Sequence, residues 1–150
     1  MPLENALDEE SAYVAAKLAA LESLRGGFTT VAEAGTRASV DVDVPATATR
    51  EVGIRCVLGL VCNDAADADG TGGPADAAQT LASAEKHLAR YAGDPLVHAS
   101  LAVPVPEAAT ARTLRDTALL AAEAGAVVQI HVNEHLAAVE RSHRAESGAL

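Results

Sequence analysis

One short stretch of the 150-residue chain carries side chains whose types and spacing suit catalysis: Gln129-Ile130-His131-Val132-Asn133-Glu134-His135. An imidazole such as that of His131 ligates a metal through one ring nitrogen. A carboxylate three residues on, Glu134, can lean over the same ion without binding it and carry a proton between water and a substrate. Residues 131–135 also spell the H-x-x-E-H pattern of inverted zinc peptidases. That chemistry needs His131 and His135 one turn apart on a helix, with Glu134 as general base. The preceding Ala126-Val127-Val128-Gln129-Ile130 is β-rich and follows Gly125, a helix stop, so His131 is expected on a strand. Alternation along that strand sets Val127, Gln129 and His131 on one face and Val128 and Ile130 on the other. His135 then falls in the first turn of the next helix as a solvated or capping residue, and Glu134 is a first-turn acid that suits the helix dipole.

Other polar clusters read more plainly. Glu33 ends an earlier strand and is expected at the same mouth, as a solvated loop acid or a substrate contact. Asp64, Asp67 and Asp69 precede Gly70, but Ala65 stands where the first acidic ligand of a calcium loop belongs, and no Glu closes the loop. Gly70-Thr71-Gly72-Gly73 lacks the Lys-Ser/Thr of a phosphate cradle. His87 and His143 lie on helices among charged neighbours and are expected at the surface. Cys56 and Cys62 sit in one strand, about 20 Å apart at about 3.3 Å per residue, too far for a disulfide. They read as small buried hydrophobes.

The elements that must position these residues alternate. Asp8 caps a first helix with a stripe of Val14, Leu18, Leu21 and Leu24, closed by Gly26-Gly27. A short strand follows at 28–31, a helix at 40–52, whose opening Val40-Asp41-Val42-Asp43-Val44 alternation also reads as an extended arm, and an apolar strand at 54–62. A loop at 63–73 leads to a third helix starting at Pro74, with Ala77, Leu81, Ala84, Leu88 and Tyr91 on its stripe. The next strand is 96–103. A fourth helix follows, with Ala111, Leu114, Ala118, Ala121 and Ala122; then come a strand at 126–132 and a more polar helix at 134–145. This αβαβαβαβα order with short connections demands a parallel sheet. Gly27, Gly53, Gly93 and Gly125 before the strands are helix-capping chemistry and not a solenoid repeat.

Composition narrows the function. Apolar residues make up 49% of the chain, enough for one core, and 35 residues are Ala against one Phe, two Tyr and no Trp. The core is therefore expected from Leu, Val and Ala at close helix–strand contacts. With 21 acidic against 11 basic residues and a net charge of −10, nucleic acid and anionic membranes are poor partners. Neither a membrane span nor a signal peptide is read, which gives a cytoplasmic location.

Three colinear stretches resemble the amidohydrolase superfamily, in particular its deaminase and chlorohydrolase branch, which includes cytosine deaminase. Residues 12–35, containing Gly-Phe-Thr-Thr, are similar to that family's helix leading into a G-x-T-T strand. Gly53-Ile54-Arg55 resembles the G-x-R that opens its third strand, and 119–134 resembles the helix and strand that carry its His-x-x-Glu. The resemblance implies an α/β fold comprising part of a TIM (β/α)8 barrel, strands two to five, as a single domain over 1–150. It implies His131 as a metal ligand and Glu134 as the catalytic proton shuttle. It also implies a divalent metal, zinc or iron, and hydrolysis of a C–N bond, by deamination or dechlorination-type hydrolysis, on a small heterocyclic substrate.

The family's His-x-His pair, its later His and its final Asp have no counterpart here. Val103-Pro104-Val105-Pro106 replaces the segment where relatives place a substrate-contacting His, and His98 lies too early to be that residue. A full barrel takes about 250 residues, so the chain is expected to be part of a larger enzyme and inactive alone. The alternative is a non-catalytic α/β half-barrel that closes its open sheet edges by forming a homo-oligomer.

Overall fold

The first helix, α1 (Glu9–Arg25), starts where the sequence supplies a cap: the Asp8 carboxylate accepts the Ser11 N–H at 2.8 Å, with Glu9 and Glu10 in the first turn. The computed structural model describes residues 6–35, 40–65, 76–134 and 136–146. After α1 come β1 (Thr30–Glu33), α2 (Asp43–Val52), β2 (Arg55–Val61), α3 (Ala77–Arg90) and β3 (Val97–Val103). A 3-10 turn (Pro106–Ala108) then precedes α4 (Ala111–Ala124), β4 (Val128–Ile130) and α5 (Leu136–Glu146). Asp76 and Thr110 cap α3 and α4 through their side chains. Gly53 and Gly125 end α2 and α4 at φ +81° and +65°, a left-handed conformation that costs a side-chain-bearing residue energy and glycine little.

All four strands are parallel in the order β1-β2-β3-β4. Strands alternating with helices in this order form a half-barrel, the α/β fold class expected from the sequence. The register pairs Cys56 with Val31 and Val97, and Leu60 with Leu101. One face of the sheet therefore carries Cys56, Leu58, Leu60, Val97 and Leu101 toward the helices. Cys56, Leu58 and Val97 pack with Ala46 of α2 and with Tyr91. Leu101 and Cys62 pack with Ala84 of α3 and Ala121 of α4. Leu58 and Leu101 are fully buried, each worth about 1.5–3 kcal/mol relative to exposure. Alanine on the helix side of both clusters is what the aromatic-poor composition required.

Several local expectations are corrected. β1 begins two residues later than the 28–31 reading, because Gly26 and Gly27 turn the chain and leave Phe28 63% exposed. β4 is only three residues long, and α5 starts at Leu136, so His131 lies just past the strand and Glu134 lies before the helix. The α1 stripe of Val14, Leu18, Leu21 and Leu24 is solvent-exposed, between 37% and 56%, while Ala20 is the buried residue of that helix. On α3 and α4 the buried residues include Thr80, His87, Thr113 and Thr117, which an apolar stripe cannot reveal. His87 is thus a core residue and not a surface one; His143 is exposed as expected. Pro74, Asp67, Asp69 and the glycine run 70–73 lie outside the described residues. No described helix is long and apolar enough to cross a membrane.

Candidate functional site

The carboxyl ends of parallel strands are where α/β folds gather ligands, and β4 brings His131 to such an end. Both His131 and Glu134 are exposed, and among the described residues neither makes a hydrogen bond or ion pair. Between them Asn133 adopts φ +56°, the left-handed region that Asn tolerates better than most residues, and bends the chain. His131 is not on a helix, so the one-turn His spacing of an inverted zinc peptidase is not formed. His135, the other ligand of that pattern, lies outside the described residues.

Beneath this end, the inner face of the sheet carries a polar network. The Gln129 side-chain amide donates to Ser100 Oγ at 2.7 Å, to the Glu33 carbonyl at 3.1 Å and to the Val57 carbonyl at 3.4 Å. Ser100 is fully buried on β3, Glu33 ends β1 and Val57 lies in β2. One side chain thus links all four strands. Gly59 lets the end of β1 approach: a Cβ there would come within 2.8 Å of the Glu33 carbonyl oxygen, the acceptor on β1, and 3.1 Å of Ala102 Cβ. The alternation of β4 had placed Gln129 on this face. Ser100 went unnoticed, its only sequence signal being one hydroxyl inside an apolar strand.

Glu33 is half-buried, and its Oε2 accepts the Gly35 N–H at 2.8 Å, so its carboxylate closes a turn at the end of β1. Asp64, three residues past the end of β2, is also a structural acceptor. It receives the Thr110 N–H at 2.7 Å and the hydroxyls of Thr110 and Thr113 at 2.8 and 2.6 Å. Burial opposes its ionisation, but these donors outweigh that and hold its carboxyl below the ordinary value. Cys56 and Cys62 are free, buried thiols. Burial pushes both up to about 11, with the Glu33 charge adding to Cys56, so neither is a nucleophile at neutral pH. An open groove of about 400 Å³ lined by Leu88, Tyr91, His98 and Ala126 lies at the other end of the sheet, toward the amino ends of β3 and β4.

A catalytic zinc uses three protein ligands and an open position. Among the described residues no group of three or more His, Cys, Asp or Glu side chains is placed to hold a metal ion. The donor set of these four strands therefore does not fit a complete centre by itself.

No curated protein matches the chain significantly. Among solved structures, an adenosine deaminase from Xanthomonas campestris with bound zinc is 26% identical, with a TM-score of 0.78 over 98% of this chain and 32% of its own. A guanine deaminase from C. acetobutylicum with guanine in its active site shares the fold at 19% identity, with a TM-score of 0.74 over 96% of this chain and 35% of its own. The chain thus spans about a third of the length of these structures. The sequence profile of the amidohydrolase family matches residues 2–149. With parallel strands in barrel order and His131 and Glu134 after the fourth of them, the chain belongs to the amidohydrolase family.

Proposed function

We propose that the chain supplies barrel strands two to five of a metal-dependent hydrolase that removes an amino group, or a comparable leaving group, from a small heterocycle. The observation that carries this reading is the placement of His131 and Glu134 on either side of a left-handed bend after β4, in a chain of this family. His131 would be one metal ligand, with the remaining ligands contributed by strands other than these four. The zinc of the adenosine deaminase neighbour supports zinc as the ion. Glu134 transfers the proton: its carboxylate accepts a proton from the attacking water, and its acid form delivers that proton to the departing nitrogen. The attacked carbon gains the water oxygen and loses the C–N bond. Adenosine and guanine, named for the two neighbours, support a purine-like substrate.

Zinc titration of the purified chain, with an assay on aminated purines and pyrimidines, tests the division of labour. The expected result is no stoichiometric zinc and no turnover. Stoichiometric zinc with turnover abolished by His131→Ala would show that these four strands suffice. The hydrolase reading itself fails if the coding sequence on either side supplies no further strands ending in His or Asp.

A second reading is favoured by the apolar side chains exposed at both flanks of the sheet, Leu18 and Leu21 on α1 and Ile130 and Val132 at β4. In it the chain is a non-catalytic half-barrel that oligomerises through its open edges. A cooperatively melting oligomer without zinc affinity would select it.

A further inference from the structure

The strand that leads into His131 is weakly held by its backbone and its outer face. β4 pairs with β3 over three residues only, and it is the last strand of the sheet. Its outward side chains Val128 and Ile130 are 38% and 42% exposed, so apolar burial on that side does little to fix it. The remaining restraint comes from the inner face, where the Gln129 amide reaches β3, β2 and β1 together. Its two hydrogens serve three acceptors, the closest being the fully buried Ser100 hydroxyl. The farthest strand it reaches is β1, through the Glu33 carbonyl, 96 residues away in sequence. That carbonyl belongs to the last residue of β1, at the same end of the sheet as His131.

We infer that Gln129 is a positioning residue: by tying β4 to the carboxyl end of β1 from inside the sheet, it fixes where His131, two residues on, stands at the mouth. The catalytic importance of that placement rests on the proposed hydrolase reading; the placement itself does not. Gln129 touches neither water nor substrate in this role. It acts through the strand. The bonds must be donated, because all three partners are used as acceptors and two of them are backbone carbonyls. A carboxylate of the same shape in its place would lose both carbonyl bonds and keep only Ser100, whose hydroxyl can turn round and donate to it.

The test compares the full chain with Gln129→Ala and Gln129→Glu variants by amide hydrogen exchange and by the His131 ring resonances in NMR. In both variants, amide protection across 128–130 falls about tenfold, the scale of one or two lost hydrogen bonds at an edge strand. Protection in the middle of β2 and β3 stays within about twofold, the usual independence of distant sites. The His131 resonances shift or broaden, and those of the exposed His143 on α5 do not. Unchanged β4 protection and His131 resonances in both variants would overturn the inference. So would an equal loss across β2 and β3, which would make Gln129 a general core residue. Because neither readout depends on turnover, absence of hydrolase activity leaves this result standing, and its failure leaves the hydrolase reading to its own assay.

Discussion

The Nε2–H of His87, on α3, donates to the carbonyl of Leu58, on β2, at 3.0 Å within the core. The ring also meets Tyr91 edge-on, with centroids 5.2 Å apart. Burial holds the imidazole below its ordinary value of 6.5, an effect that the Leu58 and Ser100 carbonyls only partly offset and the Arg90 charge reinforces. The unfolded chain therefore binds a proton that the folded chain resists, and stability falls as pH drops below about 6.5. Thermal melts from pH 7.5 to pH 5 are expected to show this loss. In His87→Gln, which keeps a donor and cannot charge, the same window should be flatter.

Asp94 works in the opposite ionic form. Its carboxylate accepts the N–H groups of Val97 and Leu96 at 2.8 and 2.9 Å and pairs with Arg50 at 2.7 Å, holding it down at about 2 against an ordinary 3.8. Because the folded value is depressed, the stabilisation is full above the unfolded value and is lost as pH falls toward 2. Asp94→Asn should flatten the acid limb of a stability–pH curve below about pH 4, the ordinary carboxylate range. Asp94→Ala should cost about 2 kcal/mol at neutral pH in urea unfolding, since two strand-start N–H groups lose a charged acceptor.

Gly59→Ala is expected to destabilise by about 1–3 kcal/mol, the cost of overpacking against atoms that cannot swing away. The new methyl would meet the backbone of Glu33 and Ala34 at 2.8 and 3.0 Å. Gly53→Ala makes the control. A Cβ there meets nothing within 4 Å, so only the φ of +81° resists it, and the expected loss is about 1 kcal/mol. Urea midpoints of the two variants decide the order.

His131→Ala and Glu134→Gln should leave the fold alone. Both side chains are exposed and unbonded among the described residues, so each change stays within about 0.5 kcal/mol of the parent. A larger shift in melting would show that one of them has a structural partner and would weaken its assignment to chemistry.

The parallel α/β order was readable because α1, α3 and α4 start at a capping side chain, α1, α2 and α4 end at a glycine, and β2 and β3 are largely apolar runs. Ends were harder. Ala126 and Val127 look like strand but precede the three residues that pair with β3. Helix faces were misread where Thr113, Thr117 and His87 fill the helix–sheet contact, since hydroxyls and an imidazole that bond inward look like surface in a hydrophobic pattern. The exposed α1 stripe follows from the opposite fact: periodicity reports that a face is apolar, not that something covers it. At the candidate site, what the sequence pattern made legible was the position of His131 and Glu134 at the carboxyl end of a strand. The partners of Gln129 were not, because they are two backbone carbonyls and a single serine drawn from three other strands.

The sheet order has a kinetic consequence. Each strand pairs by its backbone only with its neighbours in chain order, so every ladder must first close a loop of one helix and its connections, and such non-local parallel pairing is the slow part of folding. Such a chain can settle unit by unit as it leaves the ribosome. The bond from Gln129 back to Glu33 is then among the last to form, sealing β1 to β4 once the strands between them are in place.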